Sequence, residues 1–274
     1  MPGTLYLVAT PIGNLKDMTY RAVETLQSVD MVACEDTRHS LTLLNAYGIK
    51  KPLVAYHKFN ERAESERLLA ELEAGKSVAL ISDAGMPVIS DPGSVLVSLC
   101  MERGVPYTVI PGANAGLCAL VLSGFDASAF SFFGFLPKES KARRALAEKF
   151  KAIESTLIFY APPHGVAEDL KFLYKVLGAR KFAAVREITK VHETAEFGVL
   201  GGEYELAEKG EYVVIVEGAP ALENPLNAGS IEEHLAHYQR AGMTRMEAVK
   251  AVAKDRGVPK NEIYRRTVEP AERG

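Results

Sequence analysis

The chain has 274 residues, 47% of them hydrophobic and 24% charged, with 32 Lys and Arg against 35 Asp and Glu and a formal net charge of −3. That length holds roughly two domains of about 150 residues and an ample core, and the charge balance excludes a uniformly basic surface while leaving local patches open. No run approaches the roughly 18 apolar residues of a membrane span, and the first residues lack a signal-peptide pattern.

Residues 4–10 (TLYLVAT) favour a strand and end in Pro11-Ile12-Gly13-Asn14. A helix is expected over 19–28, a strand over 30–35, a helix near 37–46, a short strand over 53–56 and a helix over 60–74, whose Leu68, Leu69 and Leu72 share one face. SVALIS (77–82) is a continuous apolar run, as expected of a central strand buried on both faces. A helix (93–103), a strand (106–110) and a helix (113–123) follow. Strands alternating with helices predict an α/β unit with a mostly parallel sheet.

The second half repeats these classes. FSFFGF (130–135) and STLIFY (155–160) read as strands flanking a helix with Ala142, Leu146, Phe150 and Ile153 on one face. Strands near 181–187, 191–198 and 211–218 follow with only a short helix expected between them, so a mixed sheet is predicted. Residues 219–229 read as a linker. Helices over about 230–241 and 244–256, then a third carrying Ile263 and Tyr264, suggest either a helix-turn-helix or a small packing bundle. The expected organisation is two α/β domains, 1–120 and 121–227, and a helical module, 228–274. These segments carry −3, −2 and +2. The three cysteines, Cys34, Cys100 and Cys118, lie far apart in apolar contexts, which suggests buried small residues and a cytoplasmic setting.

Gly75-Lys76-Ser77 is not a phosphate loop: it precedes a strand, and Ala70 stands where the motif's earlier glycine would be. No GxGxxG follows the first strand, and no histidine or cysteine spacing suggests a metal. Three loops rich in Gly, Pro and Asp stand out instead at strand ends: ATPIGN (9–14), SDAGMPVISDPG (82–93) and PGANA (111–115). Ligands of open α/β sheets bind beyond the carboxyl ends of the strands, so N–H groups of residues 82–85 and the Asp83 carboxylate can converge on a polar ligand. Upstream, Glu35-Asp36-Thr37-Arg38 ends one strand, and His57, Lys58, Asn60, Glu61 and Arg62 follow the next. Asp36, Arg38 and His57 are the candidates for substrate orientation and catalysis; helix capping by Asp36 or Thr37 and by Asn60, with nearby surface charges, is the competing reading. Between 138 and 151, Lys138, Lys141, Arg143, Arg144, Lys149 and Lys151 outnumber Glu139 and Glu148, a local +4 opposite an apolar helix face. These charges are expected to point outward, as a solvated face or a phosphate-binding stripe.

These motifs resemble the tetrapyrrole methylase superfamily, and within it the ribosomal small subunit methyltransferase I group. The likeness runs from LVATPIGNLKDMTYRA (7–22) through ACEDTRHSLTLL (33–44), HKFNE (57–61), LISDAGMPVISDPG (80–93), IPGANA (110–115) and FFGFLPK (132–138). It continues in FYAPPHG (159–165), AVREITKVHE (184–193) and GEYVVIVEG (210–218). The superfamily's first loop is usually richer in glycine; Ala9, Thr10 and Pro11 here argue against a porphyrinoid substrate. The resemblance implies a homodimer of two α/β domains with S-adenosylmethionine in the cleft between them. It also implies methylation of the ribose 2′-hydroxyl of a cytidine in 16S rRNA, free or in the small ribosomal subunit. Carried over, the cofactor positions are Pro11, Asp83, Ala84, Gly85, Ile89 and Ser90, with Phe133, Leu136, Tyr160 and Ala161 from the second domain. Lys138, Lys141, Arg143 and Arg144 then become the RNA-binding stripe. A small-molecule methyltransferase and a non-catalytic ribosome-binding module are the competing functions.

Overall fold

The apolar run at 78–81 forms β4 (Val78–Ile81), buried at every residue. The structure, a computed structural model, describes residues 1–220 and 224–268. Around β4 the strands β1 (Leu5–Val8), β2 (Met31–Cys34), β3 (Leu53–Ala55) and β5 (Tyr107–Ile110) pair in the order β3-β2-β4-β1-β5. Every pairing is parallel. A parallel sheet needs helical crossovers, which cover both its faces. α1 (Tyr20–Ser28) and α2 (Thr37–Ala46) bring Leu26 and Leu44 against Val8, Val32 and Ile81 on one face. α3 (Glu61–Glu73) and α4 (Ser94–Arg103) bring Leu68, Leu72 and Leu96 against Leu5, Leu7 and Leu80 on the other. The strand order has a consequence for function. β4, β1 and β5 are neighbours, so the three Gly- and Pro-rich loops leave the sheet side by side.

α5 (Ala115–Ser123) leads into the second sheet and packs on it, with Ala119 and Leu120 against Ile158, Val185, Val213 and Ile215. That sheet comprises β6 (Phe130–Phe135), β7 (Thr156–Ala161), β8 (Lys181–Arg186), β9 (Thr194–Val199) and β10 (Tyr212–Val216). The order is β6-β7-β10-β8-β9; β6 and β7 are parallel and the other pairs antiparallel. α6 (Ser140–Phe150) and α7 (Val166–Leu177) cover its far face.

Two details depart from the sequence expectation. α7 lies between β7 and β8, where no helix was expected, although its buried Val166, Leu170, Leu173 and Leu177 recur at helical spacing. Among the described residues no helix separates β8, β9 and β10: β8 and β9 are antiparallel neighbours joined by a short turn, and the irregular stretch 200–211 carries the chain from β9 to β10 on the other side of β8.

The chain divides into two compact units, residues 1–219 and a unit beginning at Pro220. Of the expected linker, Ala221, Leu222 and Glu223 lie outside the described residues. In the second unit α8 (Ile231–Arg240), α9 (Arg245–Asp255) and α10 (Lys260–Val268) enclose Leu235, Val249, Val252 and Ile263. Ser230 with Glu233 and Thr244 with Glu247 form reciprocal capping boxes that start α8 and α9. No helix among the described residues is long and apolar enough to cross a membrane.

Candidate active site

The first two loops are tied together by backbone. Thr10 N–H donates to Gly85 O at 2.9 Å, Gly85 N–H returns a bond to Thr10 O at 3.1 Å, and the Thr10 hydroxyl donates to Ser82 O at 3.1 Å. Gly85 has φ +82, and a Cβ there would stand 3.1 Å from Ile12 Cγ2. Glycine thus meets both the left-handed backbone and the close approach of the loops.

Above them lies a cavity of about 350 Å³. Its first wall is Ile12, residues 83–86, 89–91, Asn114 and Ala115; its second is Phe135, residues 160–163, the 187–190 turn and the start of β10. The cavity therefore opens between the carboxyl ends of the first sheet and one end of the second. The turn on the second wall is strained, with Glu187 at φ +52 and Thr189 at φ +71. Lys190 Nζ reaches Glu187 at 2.9 Å and Glu211 at 3.3 Å. Its aliphatic stem crosses Gly13, where a Cβ would meet Lys190 Cγ at 2.5 Å.

Carboxylates collect on the first wall. Burial pushes the Asp91 carboxyl up to about 6, Glu35 and Asp83 add to the shift, and Ser82 opposes it. Burial likewise raises Glu35, with Asp83 adding and His57 opposing. Asp83 accepts the Asp36 N–H at 3.3 Å, and its own carbonyl lies 3.1 Å from His39 Nε2. Asp91 sits in a constrained loop: Val88 (φ +74) and Ser90 (φ +69) precede it in left-handed conformation, and Gly93 N–H donates to Glu61 Oε1 at 2.8 Å. A β-branched residue at positive φ is a true outlier and requires surrounding structure to hold it.

Asp83, Ala84, Gly85, Ile89 and Ser90 line the cavity, as do Tyr160 and Ala161. The structure places three other expected cofactor residues elsewhere. Pro11 is buried beneath its loop, and its neighbour Ile12 reaches the cavity. Phe133 stacks on Phe159 and meets Phe150 in the core under α6, and Leu136 joins the same core. The register of β6 shifts between Phe132 and Gly134, a bulge that sends Phe135 to the cavity and against the Tyr160 ring.

The catalytic candidates lie outside the cavity lining. Asp36 caps α2, its carboxylate accepting the N–H groups of Arg38 at 2.8 Å and His39 at 3.4 Å. This is the capping role weighed against catalysis, and it holds the Asp36 carboxyl below its usual range through the Arg38 N–H. Arg38 is 92% exposed, its guanidinium 3.6 Å from Asp36. His57 is half-buried near Glu35, and its Nδ1 is buried without a partner among the described residues.

Lys138 just before α6, and Lys141 and Arg144 on it, are exposed as expected, but Arg143 is not. Its guanidinium turns inward to Asp169 Oδ1 at 2.5 Å and lies 4.3 Å over the Phe172 ring of α7. The expectation that all these charges point outward is corrected at this residue: α7, the helix missed in the sequence, supplies the buried partner.

The tetrapyrrole (corrin/porphyrin) methylase family profile matches residues 4–202. Three similar proteins carry the name ribosomal RNA small subunit methyltransferase I. That of Halalkalibacterium halodurans is 44% identical over 96% of this chain and 93% of its own. That of Bacillus subtilis is 42% identical over the same shares. That of Escherichia coli O157:H7 is 42% identical over 97% and 95%. The chain belongs to this methylase family, in its ribosomal RNA small subunit methyltransferase I group. Solved structures share the fold at low identity. Diphthine synthase superposes with a TM-score of 0.62 at 14% identity, covering 78% of this chain and 89% of its own. Uroporphyrin-III-C-methyltransferase of Thermus thermophilus gives 0.54 at 18%, covering 78% and 94%. Family membership agrees with the placement of the cavity, whose first wall is built by the loops that carry the resemblance.

Proposed function

We propose that the protein transfers the methyl group of S-adenosylmethionine to the ribose 2′-hydroxyl of a cytidine in 16S rRNA, in the cytoplasm and as a homodimer. The observation that carries this reading is the cavity walled by the 82–93 loop in a chain whose near-full-length relatives are named for the small subunit RNA. The residues fit the cofactor. Ile12, Ile89, Tyr160 and Val213 offer apolar surface for a flat base, and Ala84 is exposed beside them. Asp83 and Glu187 suit a cation. When bound, S-adenosylmethionine supplies a methyl group already activated on a cationic sulfur.

The protein's task is then alignment. Holding hydroxyl and methyl in line is worth about 7–11 kcal/mol of barrier, which rigid loops such as 82–93 can supply. Asp83, Ala84, Gly85, Ile89, Ser90, Tyr160 and Ala161 would hold the cofactor, and the exposed Arg38 would meet a phosphate of the substrate. Exposed Lys138, Lys141, Arg144 and Lys149 would extend the phosphate contacts. Segments 1–120 and 121–227 would serve as the two catalytic domains, and the helical module (228–274) as a further basic surface. The dimer would cover apolar side chains left exposed on two sheet edges and α5: Tyr107, Val109, Val121, Leu122, Phe130 and Phe132.

Transfer of tritium from labelled S-adenosylmethionine to small subunits, free rRNA or a porphyrinoid tests the reading. Label in the ribose of a subunit cytidine is the expected result; label only in a porphyrinoid, or in nothing, rejects it. Asp83→Ala is expected to weaken cofactor binding about tenfold or more in calorimetry, the worth of one charge-assisted hydrogen bond. Reversing Lys138, Lys141 and Lys149 to Glu is expected to weaken subunit binding and flatten its salt dependence, the slope falling by about one for each phosphate no longer neutralised. Cofactor affinity should stay unchanged in that variant.

A further inference from the structure

A 2′-hydroxyl is a weak acid, and its proton must go somewhere as the oxygen takes the methyl group. The sequence candidates do not meet this need, since neither Asp36 nor His57 lines the cavity. We propose that Asp91 is the general base of the reaction, taking the ribose hydroxyl proton on its carboxylate. The proposal rests on the methyl-transfer reading above. The hydroxyl oxygen forms a bond to the methyl carbon, the carbon–sulfur electron pair returns to sulfur, and the O–H proton passes to an Asp91 oxygen and from there to water.

The geometry singles out Asp91 by elimination. Four carboxylates line the cavity: Asp83, Asp91, Glu187 and Glu211. Asp83 accepts the Asp36 N–H. Glu187 is engaged twice, by Lys190 Nζ at 2.9 Å and Glu211 N–H at 2.9 Å. Glu211 pairs with the same lysine and is 80% exposed. Among the described residues of the cavity, Asp91 is the carboxylate with no cation and no backbone N–H. Its loop is built to hold it still: Gly85 is bridged to Thr10, Gly93 is tied to Glu61, and two non-glycine residues between them are kept at positive φ. Strain of this kind survives where it serves a site, and a fixed base is more effective than a mobile one.

The electrostatic surroundings agree. Asp91 faces Glu35 just after β2, Asp83 just after β4 and Tyr160 on β7, with Glu187, Lys190 and Glu211 on the opposite wall. Burial and the two acidic neighbours raise its carboxyl to about 6, close to the working range of a base at neutral pH. Among the described residues no group of three or more His, Cys, Asp or Glu side chains is placed to hold a metal ion.

The test compares Asp91→Asn with wild type on purified small subunits under single turnover, with cofactor affinity by calorimetry and subunit affinity measured beside it. We expect the rate to fall about 10²–10⁴-fold while both affinities hold. We also expect the wild-type rate to decline as pH falls through about 6, and the variant to lose that limb. A variant rate within about threefold of wild type overturns the assignment, as does a loss that merely follows weaker cofactor binding. Should the variant not fold, the wild-type profile decides: a rate flat between about pH 5 and 7 rejects the base. Wild-type protein that labels no subunit rejects the methyl-transfer reading itself, whereas a labelling wild type with an equally fast variant rejects Asp91 alone.

Discussion

Arg143→Ala is expected to destabilise the protein by about 3–5 kcal/mol, the usual cost of stripping one partner from a buried ion pair. The side chains of Arg143 and Asp169 are only 18% and 11% exposed, so water cannot replace the guanidinium. The substitution also removes the cation over Phe172, worth about 0.5–2 kcal/mol. Burial raises the Asp169 carboxyl, and Arg143 is what opposes that rise. A carboxyl with a raised folded pKa costs stability above its unfolded value, and the cost is relieved as pH falls through the folded value. The deficit of Arg143→Ala should therefore be largest at neutral pH and shrink in acid. Urea denaturation at pH 7 and pH 5 reads both, and Arg143→Ala/Asp169→Asn should recover part of the loss. Wild-type stability in the single variant would return Arg143 to the solvated face. A charge reversal at Arg143 would thus report folding, which is why the RNA-binding test uses the exposed lysines.

Asp255→Ala should unfold the helical unit. Asp255 Oδ2 accepts from Tyr238 Oη, from Asn224 Nδ2 at 2.8 Å and from His234 Nε2 at 3.2 Å. His234 is wholly buried, and its Nδ1 accepts from Arg256 Nε at 3.3 Å, so Nε2 must carry the proton given to Asp255. Truncation strands these donors at about 1–3 kcal/mol for each buried group left unpaired. A three-helix unit of this size has only a few kcal/mol to lose. Hydrogen exchange over residues 231–266 of the full chain should accelerate towards the unfolded rate, while the β-strands of the first unit keep their protection. Burial alone would raise the Asp255 carboxyl, but the Tyr238 and His234 hydrogen bonds outweigh it and hold it below its usual range. Its stabilisation is thus full above the unfolded carboxylate value and fades as pH falls through the lower folded value. The gap between wild type and variant should persist to about pH 5 and close only below about pH 4. Unchanged exchange in the variant would show that the network stabilises nothing.

Much of this molecule is local in origin and could be read without coordinates. β4 is an unbroken apolar run because a parallel strand must be apolar on both faces, and that pattern is visible within SVALIS. The capping boxes at Ser230 and Thr244 rest on side chains three residues apart. The 82–93 loop announces itself by composition, and five of the cofactor candidates named in it line the cavity. α7 was legible too, since its four apolar positions recur at helical spacing.

Other features depend on groups far apart in the chain. Arg143 resembled its basic neighbours until α7 brought Asp169 and Phe172 beneath it, 26 and 29 positions away. Phe133 and Phe135 are equal in composition, and a one-residue bulge assigns one to the core and the other to the cavity. Asp36 and Asp91 both lie in loops between a strand and the next helix, yet one spends its carboxylate on a helix cap and the other faces a cavity beside two more acids. Residue pattern alone was enough for the α/β class, the strand-end loops and the family, because each is written in short stretches of chain. Which charges are free to act was settled by folding, because burial and through-space partners, rather than residue type, set the state of a carboxylate or a guanidinium.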